Sequence, residues 1–297
     1  MLKTHLGKVS DPLTRALCWA AVWDMHRDAE ISSHDFLDIA FAGLPGENDD
    51  AVVSITLSQM YTSVEAYSTD ANRNQMRIKL ADGLDALTKS AAPGSDLQLL
   101  FARAFAQNAV TAAHIESVRA LLNGSAPGLI VDADQRWFFM IALSERGAIT
   151  KAELDAELVR DNTTSGNCFY ETAIAAAPTG SAKDYAWHKI VNEDIQTSVR
   201  SALVAGFQRP IQRELLTNYV DRYFDLIIGV WEAKSYEGAA KIVSGLYPTW
   251  VVSQSTVEKT AMWLETTGAN SPAVLRKLVI EARDGLVRAL KVQSVSN

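Results

Sequence analysis

Apolar residues recur at every third or fourth position through most of the chain, which is the spacing of an amphipathic α-helix. No segment alternates apolar and polar residues in the way that predicts a β-strand. The sequence therefore predicts an all-α fold. About fifteen helices are indicated, with starts near residues 12, 33, 51, 70, 95, 111, 133, 151, 167, 182, 194, 210, 236, 254 and 272.

Residues that satisfy free backbone groups mark the ends of these helices. A hydroxyl or carboxylate can accept hydrogen bonds from the first N–H groups, Pro suits the first helical position, and Gly suits the stop. Glu or Gln three residues after the cap completes a capping box. The predicted starts of this kind are Asp11-Pro12, Ser271-Pro272, Thr150 with Glu153, Ser255 with Glu258 and, more weakly, Ser95 with Gln98. The predicted stops are Gly124, Gly147, Gly206 and Gly268.

Element lengths favour a repeat array. The start of one helix and the start of the second helix after it are about 37 residues apart on average. This spacing is near the roughly 40-residue period of HEAT-type helix pairs. The segments Ala16–Trp23 and Trp137–Leu143 are apolar on all sides of a helix, so they are predicted to contact protein on all sides. We therefore predict one helical-repeat domain over residues 1–297, a curved α-solenoid of antiparallel helix pairs. The linker-like loop at 123–132 is where two sub-arrays would divide.

Composition excludes several classes of protein. A net charge of −7 with a pI near 5.3 argues against nucleic-acid binding. No apolar run is long enough to span a membrane, and the first residues lack the apolar stretch of a signal peptide. Two cysteines cannot build a disulfide framework. The sequence thus predicts a cytoplasmic protein without nucleic-acid or membrane partners.

Motifs that carry chemistry are missing from the sequence. His-Glu-x-x-His, a P-loop, a dinucleotide-binding glycine run and the Gly-x-Ser-x-Gly elbow are all absent. Asp132 and Asp134 could bind a divalent metal, but acidic residues just before a helix are more typical of a cap. Cys168 and His188 could pair as nucleophile and base, although a structural thiol and a surface imidazole are favoured. We expect no catalytic and no metal-binding residue.

Several strings resemble one known family in their order along the chain. They are Asp11–Ala16 with Trp19 and Trp23–Met25, Gln135–Trp137, Leu158–Gly166, Ala177–Thr179 with Lys183 and Ala186-Trp187, Gly206–Gln208 with Gln212, Glu214–Leu216, Tyr219 and Arg222–Phe224, and Leu275–Lys277 with Glu281, Arg283-Asp284 and Arg288–Leu290. Together they resemble the C-terminal helical domain of zinc aminopeptidases of the aminopeptidase N family, actinobacterial type. The likeness is weaker between about residues 70 and 130.

The resemblance implies a curved array of helix pairs that closes over a thermolysin-like catalytic domain located upstream. That family's zinc motif and its Gly-x-Met-Glu-Asn motif belong to the catalytic domain, and neither occurs in this chain. No zinc ligand or catalytic acid can therefore be assigned here, and zinc is expected in the catalytic domain. On this interpretation the chain is a fragment of a larger enzyme, inactive alone, that helps to admit and orient peptides.

Peptide contact is predicted at Gln208, Gln212, Arg222 and Tyr223, within and just before a long helix from Pro210 to Ala233. Gln can both donate to and accept from a peptide backbone, and Arg can hold a terminal carboxylate. Helical periodicity cannot place all four on one narrow face, so at least one is expected to be structural. The alternative for Arg222 is a buried ion pair with a neighbouring acid.

Two other functions remain open from sequence alone. One is a free-standing α-solenoid scaffold that binds a protein on its concave surface. The other is an all-helical enzyme whose site is not recognised, which the missing motifs disfavour.

Overall fold

The computed structural model describes residues 2–295 and contains no strand within them, which confirms the all-α prediction. Fifteen of its α-helices have ten residues or more. The curvature of the array and the antiparallel pairing of its helices stay predictions. The α-helices are α1 (Leu2–His5), α2 (Pro12–Arg27), α3 (Ser33–Gly43), α4 (Asp50–Thr62), α5 (Asp70–Ser90), α6 (Asp96–Asn108), α7 (Ala112–Leu122), α8 (Ala133–Glu145), α9 (Lys151–Arg160), α10 (Thr164–Ala176), α11 (Gly180–Asn192), α12 (Thr197–Phe207), α13 (Arg213–Thr217), α14 (Val220–Ala233), α15 (Tyr236–Leu246), α16 (Gln254–Glu265) and α17 (Ala273–Gln293).

Short non-α segments interrupt this series. Three 3₁₀ turns lie at Leu6–Lys8, Leu44–Gly46 and Pro210–Gln212, and a π-helical segment, Ser63–Tyr67, follows α4 directly. The prediction of one continuous helix over 210–233 is therefore wrong. The 3₁₀ turn and α13 precede a break at residues 218–219, and α14 begins only after it.

Of the predicted caps, Asp11, Ser95 and Thr150 are confirmed. Asp11 accepts the backbone N–H of Thr14 at 2.8 Å, and the Thr150 capping box is complete. The box predicted at Ser255 is wrong, because Ser253 caps α16 by accepting the N–H of Thr256 instead. Ser253 lies two residues before Ser255, and its hydroxyl satisfies a free N–H group in the first turn of α16.

Contacts divide the chain into two compact units. The first contains residues up to Phe139 together with those from Lys291 onward, and the second contains Met140–Leu290. The loop at 123–132, where sub-arrays were predicted to divide, lies within the first unit, and the boundary falls inside α8. In the first unit α5 packs on α6, and the fully buried ring of His26 stacks on Phe36 with centroids 4.9 Å apart.

In the second unit, α10 and α12 pack unusually closely. A Cβ atom built on Gly206 would lie 2.4 Å from the backbone oxygen of Thr172 and 2.6 Å from the Cβ of Ala175. Gly206 was predicted to end its helix, yet it lies inside the last turn of α12. The glycine therefore serves the approach of two helices rather than the stop.

The two helices predicted to be buried on all sides behave differently. Trp137–Leu143 in α8 is buried or half-buried throughout, as predicted. In α2, however, Leu17 is 63% exposed, and Leu13, Ala20 and Ala21 are also exposed. The prediction is wrong for α2, since one apolar face of this helix has no cover within the described residues.

Candidate peptide-contact site

The turn between α12 and α13 carries the first two residues predicted for peptide contact. Gln208, just after α12, donates from Nε2 to the carbonyl oxygens of Gly245 and Tyr247, both at 2.9 Å. These carbonyls lie at the C-terminal end of α15, where backbone carbonyls have no N–H donor within the helix. The amide of Gln208 therefore closes the end of another helix.

Gln212 does the same for two further helices. Its Nε2 donates to the carbonyl oxygens of Glu145 and Ala176, both at 2.8 Å, at the last residues of α8 and α10. The side chain is buried, and its Oε1 has no hydrogen-bond partner among the residues that the structure describes. Each donor hydrogen of this amide is thus already used inside the protein.

Tyr223 is also committed to internal contacts. It is almost fully buried between α14 and α15, and its hydroxyl donates to the carbonyl oxygen of Val243 at 2.9 Å. Burial raises the pKa of Tyr223 well above its ordinary value, so the hydroxyl remains a donor.

Lys183 belongs to the same set, although sequence reasoning gave it no role. Its buried Nζ donates to the carbonyl oxygens of Ala175, Gly206 and Phe207 at 2.9, 3.1 and 3.1 Å, at the C-terminal ends of α10 and α12. Burial, together with the nearby charge of Arg209, lowers the pKa of Lys183 to about 7. We call Gln208, Gln212, Tyr223 and Lys183 the carbonyl clamp, because their side-chain donors end on backbone carbonyls.

Arg222 is placed differently from the other three predicted residues. Its side chain is 48% exposed, and Nη1 donates to Oδ1 of Asp184 at 2.9 Å. The guanidinium carbon lies 4.6 Å from the ring centroid of Tyr219 and 5.2 Å from that of Trp187. Since Asp184 is itself 62% exposed, the buried ion pair considered for Arg222 is wrong, and the pair lies at the surface.

Hydrogen bonds in this surface cluster favour an ionised Asp184 and a protonated Tyr219. Hydrogen bonds from Arg222 and then from Tyr219, whose hydroxyl lies 2.8 Å from Oδ1, lower the pKa of Asp184. Burial, and then the hydrogen bond to that carboxylate, raises the pKa of Tyr219. Stacking on aromatic rings fixes the plane of a guanidinium while its remaining N–H groups stay available. We call Arg222, Asp184, Tyr219 and Trp187 the Arg222 cluster.

The four predicted residues are therefore not brought together as one surface. Gln208, Gln212 and Tyr223 direct their donors inward, whereas Arg222 is half exposed and pairs with an exposed carboxylate. Their contact with peptide stays a prediction. Sequence reasoning missed Asp184 as the partner of Arg222, because Asp184 lies 38 residues away along the chain. Tyr219 lies only three residues before Arg222, but it was assigned to an apolar stripe rather than to this contact.

Comparison with known proteins decides the family. A family model described as ERAP1-like C-terminal domain matches residues 1–288. The chain belongs to the ERAP1-like C-terminal domain family. Aminopeptidase N of Streptomyces lividans is 40% identical to it over 293 residues, which is 98% of this chain and 34% of that protein. The chain thus spans about a third of the length of the relative, and the resemblance to aminopeptidase N enzymes is confirmed.

The other chemical candidates in this ERAP1-like domain acquire local structural contacts. Asp132 accepts the backbone N–H of Gln135 at 2.8 Å, in the first turn of α8. His188 lies 3.6 Å from a carboxylate oxygen of Glu193. Within residues 2–295, no three His, Cys, Asp or Glu side chains are grouped so as to hold a metal ion, so zinc does not fit any set of residues described. None of the described helices has both the length and the apolar character to cross a membrane.

Proposed function

We propose that this chain is the C-terminal domain of a zinc-dependent aminopeptidase, where it caps the catalytic domain and helps to admit and orient peptides. The observation that carries the proposal is the 40% identity to Aminopeptidase N along 98% of the chain. Zinc and the catalytic acids would belong to the catalytic domain, since the described residues offer no ligand group for the metal.

The Arg222 cluster supplies the chemistry for orientation. Arg222 uses one of its five N–H donors on Asp184, which leaves donors for a peptide carbonyl or a terminal carboxylate. Tyr219 and Arg222 both donate to Oδ1 of Asp184, so Oδ2 can accept a peptide N–H. Holding a peptide in register lowers the barrier to hydrolysis without any catalytic group on this domain.

The exposed apolar face of α2 is the surface we assign to the catalytic domain. Leu13, Leu17, Ala20 and Ala21 follow each other at helical spacing and remain exposed. Covering an apolar stripe of this kind is what stabilises contacts between domains. Cys18 and Cys168 are both free thiols, which supports the proposal that the enzyme acts in the reducing cytoplasm.

The proposal is tested in the complete enzyme with Arg222→Ala. We expect KM for long peptides to rise several-fold while KM for a short aminoacyl reporter stays constant, because the reporter does not reach Arg222. Lys241→Ala is the control, since Lys241 in α15 also forms an exposed pair with an acid, Glu237 at 3.2 Å. Equal changes for long and short substrates would contradict the orienting role.

A separate experiment tests the prediction that this chain has no active site of its own. The 297-residue chain, incubated with zinc and an aminoacyl reporter, is expected to show no turnover and to retain no stoichiometric zinc after dialysis. Turnover with one tightly held zinc ion per chain would instead support an unrecognised active site in this domain.

A further inference from the structure

A groove runs between α14 and α16. Its volume is about 570 Å³, within the range of roughly 300–1,000 Å³ typical of ligand sites. Asp221, Phe224, Asp225 and Ile228 line it from α14 at helical spacing. The facing wall comes from α16 and the residues after it: Lys259, Met262, Trp263, Thr266 and Thr267.

The floor and rim of this groove differ in character. Phe224 and Ile228 are half-buried and Trp263 is buried, so the floor is apolar. Met262 is 64% exposed beside it, which leaves a flexible apolar side chain in water. The rim carries two carboxylates, Asp221 and Asp225, and one ammonium, Lys259, which leaves an excess of one negative charge.

The charges on the rim are not balanced within the protein. Lys259 donates to Asp221 across the groove, and Asp221 also stands in the first turn of α14, where the helix dipole favours an acid. Asp225 lies one turn further along, and the structure gives it no hydrogen bond or ion pair within the described residues. Two like charges four residues apart on a helix destabilise it.

From this combination we propose that the α14–α16 groove binds a peptide segment that carries a Lys or Arg side chain next to a large apolar one. The apolar side chain packs on Phe224, Ile228 and Met262, and the cation pairs with Asp225. This inference rests on the proposed function, because it takes the occupant to be part of a peptide substrate. It adds a preference of chemical class, cationic and apolar, to the orienting role of Arg222.

Binding to the 297-residue chain tests the proposal directly by fluorescence anisotropy. The probe is a fluorescein-labelled glycine–serine peptide carrying two leucines and two lysines, and its partner peptide has glutamate in place of each lysine. We expect the lysine peptide to bind more tightly, and its affinity to fall as salt is raised. Equal affinity for the two peptides, or no binding of either, would overturn the proposal.

Three variants locate the binding. Asp225→Asn should weaken the lysine peptide by about two- to five-fold, the effect of one exposed ion pair. Met262→Ser should weaken both peptides by about three- to ten-fold, since it removes apolar contact from an exposed position without disturbing the core. Asp194→Asn removes an exposed acid of the same unit outside the groove, so it controls for the general attraction of a −7 chain to a cationic peptide.

The outcomes separate this inference from the proposed function. If Asp194→Asn weakens binding as much as Asp225→Asn, the attraction is non-specific and the groove assignment is wrong. A long-peptide KM effect of Arg222→Ala in the complete enzyme would stand in that case, because the residues described as lining the groove include none of the Arg222 cluster. Conversely, groove binding without any KM effect of Arg222→Ala would leave the groove assignment intact and remove the orienting role of the Arg222 cluster.

Discussion

The close packing of α10 on α12 predicts a sharp contrast between two glycine-to-alanine substitutions. In Gly206→Ala, the new Cβ would lie 2.4 Å from the backbone oxygen of Thr172, against an ordinary contact of at least 3.4 Å. The oxygen belongs to the backbone of α10 and cannot rotate away, so the two helices must separate by about 1 Å. Overpacking of this kind costs about 1–3 kcal/mol, and Gly206→Ala belongs at the upper end.

Two neighbouring contacts explain why the loss of stability in Gly206→Ala lies at the upper end of this range. The hydroxyl of Thr172 donates to the carbonyl of Ala202 at 3.1 Å, and Lys183 donates to the carbonyl of Gly206 itself. Separation of α10 from α12 stretches both bonds. We therefore expect Gly206→Ala to lower the free energy of unfolding by about 3 kcal/mol, which at a urea dependence of about 2 kcal/mol/M moves the midpoint by roughly 1–2 M.

Gly229→Ala is the matched control in the same unit. Gly229 lies inside α14 with nothing within 4 Å of the position that a Cβ would take. Ala is favoured over Gly in a helix interior, so this variant should raise the free energy of unfolding by about 0.5–1 kcal/mol. Urea titrations followed by circular dichroism measure both. Shifts of the same sign, or a Gly206→Ala protein within 1 kcal/mol of the parent, would refute the close-packing argument.

Three further predictions follow from buried and exposed polar groups. Gln212→Met should lower the free energy of unfolding by about 1–3 kcal/mol in urea titrations, because two buried carbonyls lose their donor while one unpartnered oxygen is removed. Arg222→Ala should change it by less than about 1 kcal/mol, as for other exposed ion pairs, and a larger loss would mean that the pair is structural. Burial lowers the pKa of His26 to about 4 from an ordinary 6.5. Between pH 6.5 and pH 4 the imidazole is therefore protonated in the unfolded chain but neutral in the folded one. The free energy of unfolding thus falls as the pH drops from 6.5 to 4. Unfolding at pH 7 and 4.5 should show this loss in the parent and a flatter dependence in His26→Gln.

Local signals explain why the helices were predictable. Asp11 and Thr150 act on N–H groups two or three residues away, so a short window of sequence contains both partners. At the break at residues 218–219, Asn218 is a residue type that can end a helix, but the apolar spacing continues across it and favours one continuous helix.

The candidate site was predictable only in part. The sequence predicts peptide contact for Gln208 and Gln212, but their acceptors in the structure are carbonyls 36 to 67 residues away along the chain. No local pattern reports such pairs. Likewise, the exposed face of α2 and the buried α8 have similar apolar runs, and only the packed neighbours distinguish them.

The carbonyl clamp has a consequence for the kinetics of folding. Gln212 finds its acceptors only when α8 and α10 have both reached their ends, and Gln208 needs the end of α15. Contacts of such long sequence separation form late, after the loops between them have closed. Substitutions at Gln208 and Gln212 should therefore leave the folding rate nearly unchanged and accelerate unfolding. These two side chains affect the lifetime of the folded unit more than the speed of its formation.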